Sequence, residues 1–214
     1  MSIELRDRIT SKKLMLKGVK SKTGSDTPKK SLRDQILKVA DELFYRDGIH
    51  VTGIDSIIAK SGVAKTTLYR YFPSKDELVV AYLQDRNRRF WECIEAAINQ
   101  TSNDPKAKLL VIFEWLEDLI AQPDCYGCPF LITITEFPAL DYPGHQVAIT
   151  HKNQMRDLLI ALAKQAGAAK PKELGAHLLM LLDGAFVERR LYGYNGFRIG
   201  LTTAANILID SQLK

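Results

Sequence analysis

The stretch Gly53-Ile-Asp-Ser-Ile-Ile-Ala-Lys-Ser-Gly-Val-Ala-Lys-Thr-Thr-Leu-Tyr-Arg-Tyr-Phe-Pro-Ser-Lys-Asp-Glu-Leu78 decides how this chain is read. Ile54, Ile57 and Ile58 recur at a spacing that puts them on one side of a short helix, and Thr52 with Asp55 three residues on matches a capping box at its start. Ser61-Gly62 ends that helix. Between Val63 and Phe72 a further short helix turns Val63, Leu68 and Phe72 inward. Pro73 forbids its continuation, because proline lacks the amide donor and clashes with the preceding turn. Ser74-Lys-Asp-Glu77 is a second capping box and opens a long helix through Leu78, Tyr82, Leu83, Trp91, Ile94 and Ile98.

Upstream, Leu32, Ile36, Val39, Ala40, Leu43 and Phe44 repeat at helical spacing and Asp47-Gly48 follows as a stop, so a first helix precedes the two short ones. Two short helices joined at Gly62 and propped by a third form a tri-helical unit whose second short helix can enter the major groove of DNA. With Leu68 and Phe72 inward, Lys65, Thr66, Thr67, Tyr69, Arg70 and Tyr71 are left for the surface. Their chemistry suits a duplex: Lys and Arg for guanine edges or phosphate, Thr for bases, and the Tyr hydroxyl for phosphate oxygens. Lys75 adds a charge at the next helix's amino end, where free N–H groups also favour phosphate, and Thr52 completes the candidate DNA-binding set.

Gly62-Val63, Leu68-Tyr69, Tyr71-Phe72 and Ser74-Lys75, held in one register, make the whole run resemble the DNA-binding domain of the TetR family of regulators. The resemblance implies that Lys65, Thr66 and Thr67 face bases while Tyr69, Tyr71 and Lys75 touch the backbone. Asp55 departs from the pattern, since many members carry a basic or polar residue there. Its carboxylate repels phosphate unless it serves as a cap, and it is left out of the set. Further on, Gly127-Cys-Pro-Phe130, Glu136-Phe-Pro138 and His151-Lys152 resemble the regulatory domain of one TetR subgroup. That likeness implies a helical domain that dimerises and encloses a small-molecule pocket.

The rest of the chain also has helical periodicity, over Lys108 to Ala121, Val147 to Gln165, Pro171 to about Tyr192 and Arg198 to Leu213. Phe130 to Phe137 is ambiguous, because Ile132, Thr133, Ile134 and Thr135 favour strand locally. Helix is chosen, since an isolated strand has no partner elsewhere in the sequence. The expected fold is therefore all-α: a basic arm over residues 1–30, a helix-turn-helix domain over 31–80, and a helical ligand-binding and dimerisation domain over 81–214.

Charge supports the same organisation. Residues 1–30 hold nine Lys or Arg against Glu4, Asp7 and Asp26, a local +6 in a chain whose total is +5, so the remainder is −1. A basic arm beside a reading head suits an anionic partner. No apolar run reaches the roughly 18 residues of a membrane span, and the mixed charges at the start argue against a signal peptide, so a cytoplasmic protein with no membrane partner is expected.

Phe113, Trp115, Phe130, Ile134 and Phe137, with polar Glu136, His151 and His177, are the candidate ligand pocket. The wide apolar arc containing Leu178, Leu182 and Phe186, with Ile207 and Leu208 on the final helix, is the candidate homodimer interface. No histidine or acid pair shows metal-ligand spacing, and neither a metal nor a cofactor is expected. Cys125 and Cys128 form a lone C-x₂-C in a chain of three cysteines. Three readings follow: a homodimeric regulator released from an inverted-repeat operator by a small-molecule effector, a redox-active C-x₂-C protein, or an architectural DNA binder led by its basic arm. Apart from that pair, no catalytic constellation stands out in the sequence.

Overall fold

Nine helices make up the computed structural model over the described residues, 31–194 and 200–213, and no strand occurs among them. The basic arm expected over residues 1–30, and Arg198, lie outside the described residues. In chain order the helices are α1 (Leu32–Asp47), α2 (Ile54–Ser61), α3 (Lys65–Tyr71), α4 (Lys75–Asn99), α5 (Pro105–Ile120), α6 (Pro129–Glu136), α7 (Pro143–Gln165), α8 (Pro171–Tyr192) and α9 (Leu201–Asp210). Among the described residues no helix is long and apolar enough to cross a membrane.

The ends of these helices follow from local chemistry. Ser31 Oγ accepts the Asp34 amide at 3.1 Å and Ser74 Oγ accepts the Glu77 amide at 3.1 Å, which satisfies donors that have no partner within the helix. The Asp104 carboxylate takes the amides of Lys106 and Ala107 at 3.3 and 3.0 Å, with Pro105 in the first turn. Gly62 closes α2 at φ 69°, a left-handed conformation that admits the sharp turn into α3.

The capping box expected at Thr52 and Asp55 does not form. Gly53 is the N-cap of α2 and offers no side chain, while the buried Thr52 hydroxyl donates to the Gly48 carbonyl at 2.7 Å. The cap lies one residue later than the pattern suggested, so Asp55 falls at the second helical position and faces outward. Segment 129–136, locally strand-like, is helical as expected. Two of its β-branched residues adapt by donating back along the helix, Thr133 Oγ1 to Pro129 O at 2.9 Å and Thr135 Oγ1 to Leu131 O at 2.8 Å.

The chain divides into two compact units. One takes residues 31–88 together with Pro129–Ala148, and the other takes Arg89–Cys128 with the described residues from Ile149 onward. The units are cut differently from a boundary at residue 80, since α6 clusters with the helix-turn-helix.

In the first unit α1 packs on α2 and α3. Ile36, Ala40 and Phe44 of α1, Ile57 of α2, Leu68 of α3, and Leu78, Val79 and Leu83 of α4 form its core, each larger side chain contributing about 1.5–3 kcal/mol by burial. Gln35 Nε2 donates to the Ser61 carbonyl at 2.5 Å and ties α1 to the end of α2. A charged pair crosses this core. Arg86, 2% exposed on its side chain, donates from Nε to Asp41 Oδ1 at 2.5 Å and from Nη2 to Oδ2 at 3.0 Å, and its guanidinium lies 3.8 Å from the Tyr45 ring centroid. Burial alone would pull the arginine pKa down. The Asp41 carboxylate and the flanking Tyr82 and Tyr45 more than reverse that, so the group stays charged.

In the second unit Leu109, Ile112, Phe113 and Leu116 of α5 are buried, as are Met155 and Leu159 of α7, Leu174, Leu178 and Leu182 of α8, and Ala205 and Ile209 of α9. Helix α9 packs on α5 and α8. The Glu117 carboxylate accepts the amides of Leu201 and Thr202 at 3.0 and 3.2 Å, so α5 supplies the cap that α9 lacks in its own sequence.

Asp41→Ala leaves the Arg86 charge buried without its partner, and should destabilise the protein by about 3–5 kcal/mol. Urea unfolding followed by circular dichroism measures this. A loss under about 1 kcal/mol would mean the pair carries little of the α1–α4 packing.

Candidate nucleic-acid interface

Helix α3 is only seven residues long and holds its place through Leu68, fully buried within it, and through Val63 and Phe72, buried just outside each end. Three apolar anchors on one side leave the opposite side free. Lys65, Thr66, Tyr69 and Arg70 are exposed there, and Thr67, Tyr71 and Lys75 are half-buried. The arginine head lies 5.1 Å from the Tyr71 ring centroid, which holds the two side chains together as one polar edge. Seven of the eight expected DNA-contact residues are therefore at least partly accessible. The eighth, Thr52, is 4% exposed with its hydroxyl turned inward, and it serves the turn before α2 instead.

The structure adds one residue that sequence reasoning set aside. Asp55 Oδ1 lies 3.6 Å from Lys65 Nζ, so the first residue of α3 meets an acid from the start of α2. These positions are ten apart in the chain with a turn between them, a separation that no helical periodicity marks. Both side chains are well exposed, and such a pair is worth at most about 1 kcal/mol. Its importance is its location, because a carboxylate on this surface repels phosphate and restrains Lys65 in the free protein.

Lys75 stands at the first position of α4. Desolvation lowers its pKa, while the Glu136 and Asp76 carboxylates act in the opposite direction. Glu136, expected in the ligand pocket, thus belongs to the electrostatic surroundings of a DNA-contact candidate.

The other expected pocket residues divide between the units. Phe130, Ile134, Glu136 and Phe137 belong to the unit containing the helix-turn-helix; Phe113, Trp115, His151 and His177 belong to the other. Within the latter, Phe90 lies at 5.9 Å from Trp115, 4.9 Å from His151 and 5.5 Å from Trp91, ring centroid to centroid. Trp115 Nε1 is buried with no hydrogen-bond partner among the described residues. Burial, with a smaller effect of the Lys152 charge, pushes the His151 pKa down to about 3, so its imidazole is neutral at ordinary pH. Phe113 is fully buried and packs as core.

The expected dimer residues need a correction. Leu178, Leu182 and Phe186 are at most 6% exposed and face into their own chain, because α8 turns that side onto neighbours within its unit. The apolar residues that α8 exposes are Met180, Val187 and Leu191, at 66, 55 and 66%, and Ile207 on the adjoining α9 is 63% exposed. Leu208 is half-buried. Cys125 and Cys128 are buried and not joined in a disulfide, and Cys128 hydrogen-bonds Lys152, which also pairs with Asp183.

A short helix held by three inward residues, a left-handed glycine before it and a hydroxyl- and cation-rich face opposite together define a helix-turn-helix DNA-binding protein. The family model for bacterial regulatory proteins of the tetR type matches residues 36–82, which takes in α2, α3 and the start of α4. A TetR-family transcriptional regulator from Streptomyces coelicolor is 30% identical, with a TM-score of 0.81 over 86% of this chain and 96% of that one. A second such structure, a tetR-type regulator from Streptomyces avermitilis, is 28% identical with a TM-score of 0.76, covering 86% of this chain and 98% of that one. The chain belongs to the TetR family. Among curated relatives it is 33% identical over 100 residues to the HTH-type transcriptional activator FasR of Mycolicibacterium smegmatis, a match that takes in 47% of this chain and 45% of that protein. The chain thus spans about half the length of that relative.

Lys75→Ala should weaken DNA binding and lower the dependence of log affinity on log salt by about one unit, whereas Asp55→Asn should raise affinity for random duplex by a few-fold. Fluorescence anisotropy at several salt concentrations reads both. An unchanged slope would remove the phosphate role from Lys75. In a separate measurement, the depressed His151 pKa means that only the unfolded chain takes up this proton between pH 6.5 and about 3. Its effect on stability is therefore absent above pH 6.5 and becomes a loss as pH falls, with a slope of up to about 1.4 kcal/mol per pH unit. His151→Phe should flatten that acid limb in denaturant titrations, and an unaltered limb would place the acid sensitivity elsewhere.

Proposed function

We propose that this chain is a homodimeric repressor that binds an inverted-repeat operator through α3 and leaves it when a small molecule binds the unit containing α5, α8 and α9. The carrying observation is the outward face of α3. Lys65, Thr66 and Thr67 at its start face bases, while Tyr69, Tyr71 and Lys75 grip phosphates, with Arg70 available to either.

Dimerisation is supported by the corrected apolar face. Met180, Val187 and Leu191 fall at i, i+7 and i+11 on one side of α8, beside Ile207 of α9. A second copy of the same two helices covers this stripe in a four-helix interface. Two reading heads related by a twofold axis then address half-sites about one helical turn, ~34–36 Å, apart.

Effector sensing is assigned to the surroundings of Trp115 and His151. A buried indole N–H without an acceptor among the described residues and a neutral imidazole beside two aromatic rings, Phe90 and Trp91, suit an uncharged ligand with an aromatic or aliphatic body and an acceptor oxygen. The ligand favours a conformation whose heads no longer match the half-site spacing.

Enrichment from a random DNA pool should return an inverted repeat. Enrichment of no sequence, with binding that falls steeply in salt, would point instead to an architectural DNA binder. Val187→Glu should convert the dimer to a monomer in analytical ultracentrifugation and reduce operator affinity by at least tenfold, since one head then supplies half of the contacts. A reporter gene placed behind the enriched site tests the sign of regulation.

A further inference from the structure

The end of α6 and the loop after it grip the helix-turn-helix at two joints. At the turn leaving α1, Glu136 Oε1 accepts the Ile49 amide at 3.1 Å and Oε2 accepts the His50 amide at 2.6 Å. His50 returns the contact, with Nε2 2.8 Å from the Glu136 carbonyl oxygen and its ring stacked on Phe137 at 4.2 Å. Phe137 also stacks on Tyr142 at 4.2 Å, and the Tyr142 hydroxyl donates to Asp76 Oδ1 at 3.1 Å. Asp76 is the second residue of α4, beside Lys75. The loop is closed on itself by His145 Nδ1, 3.0 Å from the Phe137 carbonyl oxygen.

Gly48 is shaped for this arrangement. Its φ of 103° turns two successive amides toward one oxyanion, and a Cβ there would lie 3.0 Å from Glu136 Oε1. From the other side the turn is held by Thr52, whose hydroxyl donates to the Gly48 carbonyl.

These joints flank the pair α2–α3. One sets how α2 leaves α1, and the other sets where α4 begins after α3. We infer that Glu136 and Tyr142 are positioning residues for DNA reading, holding the two joints that fix the aim of α3. The inference rests on the reading of α3 as the recognition helix. It also gives Glu136 a role different from that of a ligand-pocket residue. Its charge is felt by Lys75, so one carboxylate sets both the turn geometry and the electrostatic surroundings of a phosphate contact. The bond from the His50 amide is exposed, so water can replace the carboxylate there, whereas Ile49 is itself buried.

The test uses full-length wild type, Glu136→Ala, Glu136→Gln and Tyr142→Phe, and a duplex that wild type enriches from a random pool. In Glu136→Ala, amide hydrogen exchange at Ile49 and His50 should accelerate at least tenfold, because both acceptors are gone. Operator affinity should fall by about tenfold, the scale of one lost charge-assisted hydrogen bond, while affinity for random duplex stays within about twofold. Glu136→Gln keeps one acceptor oxygen and should fall between Glu136→Ala and wild type. Tyr142→Phe keeps the ring stack and should lose about threefold in operator affinity through Asp76 alone. Operator affinity at the wild-type level in both Glu136→Ala and Tyr142→Phe overturns the positioning role, as does an equal loss on operator and random duplex. Should Glu136→Ala lose its helicity, Tyr142→Phe decides by itself. If wild type enriches no duplex, the reading of α3 fails and the positioning role falls with it; if wild type enriches one and the variants bind it normally, only the positioning role falls.

Discussion

The buried ion pair between Arg86 and Asp41 is the constraint on which the DNA-facing half of this protein depends. Two charges taken out of water repay that cost only when their geometry is close and their remaining capacity is used. Here the guanidinium gives two hydrogen bonds to one carboxylate and lies against Tyr45. The pair joins the middle of α1 to the first half of α4. Since α1 is the floor on which α2 and α3 rest, the orientation of the short helices is inherited from a bond that neither of them makes.

Around that anchor the protein uses carboxylates where backbone amides lack partners. Glu136 caps the turn after α1, Glu117 caps α9, and Asp104 caps α5. The first two act across more than eighty residues of sequence, so they tie together segments that local structure would leave independent. Asp55 is the contrasting case. Its carboxylate makes no side-chain cap for α2 and lies beside Lys65, so on the proposed reading of α3 it subtracts from attraction for phosphate. An acid in that position favours discrimination over raw affinity, since only a correctly placed base or phosphate draws Lys65 away from it.

The same separation of polar and apolar work appears on α8. One side, with Leu178, Leu182 and Phe186, completes the core of its own unit, and the other exposes Met180, Val187 and Leu191. A helix apolar on both sides announces two partners, but hydrophobicity by itself does not say which side meets which. Of the candidate interface residues, Leu178, Leu182 and Phe186 thus lie on the inward side of α8, while Ile207 on α9 is exposed.

Local patterns in the sequence were enough for the helix-turn-helix. Gly62, Pro73, the Ser74 cap and the inward positions Leu68 and Phe72 each act within a few residues, and together they specify two short helices, the start of α4 and the outward face of α3. The all-α class and most helix ends were legible for the same reason, and the errors at Thr52 and at the start of α7 were slips of one to four residues. What the tertiary structure decided is everything that joins residues far apart in the chain: Asp41 with Arg86, Asp55 with Lys65, Glu136 with Ile49 and His50, and the inner face of α8. Hydrophobic periodicity reports which side of an element avoids water. It carries no information about which distant segment will cover that side or which orphan amide a distant carboxylate will reach, because those depend on three-dimensional proximity created only when the chain has folded.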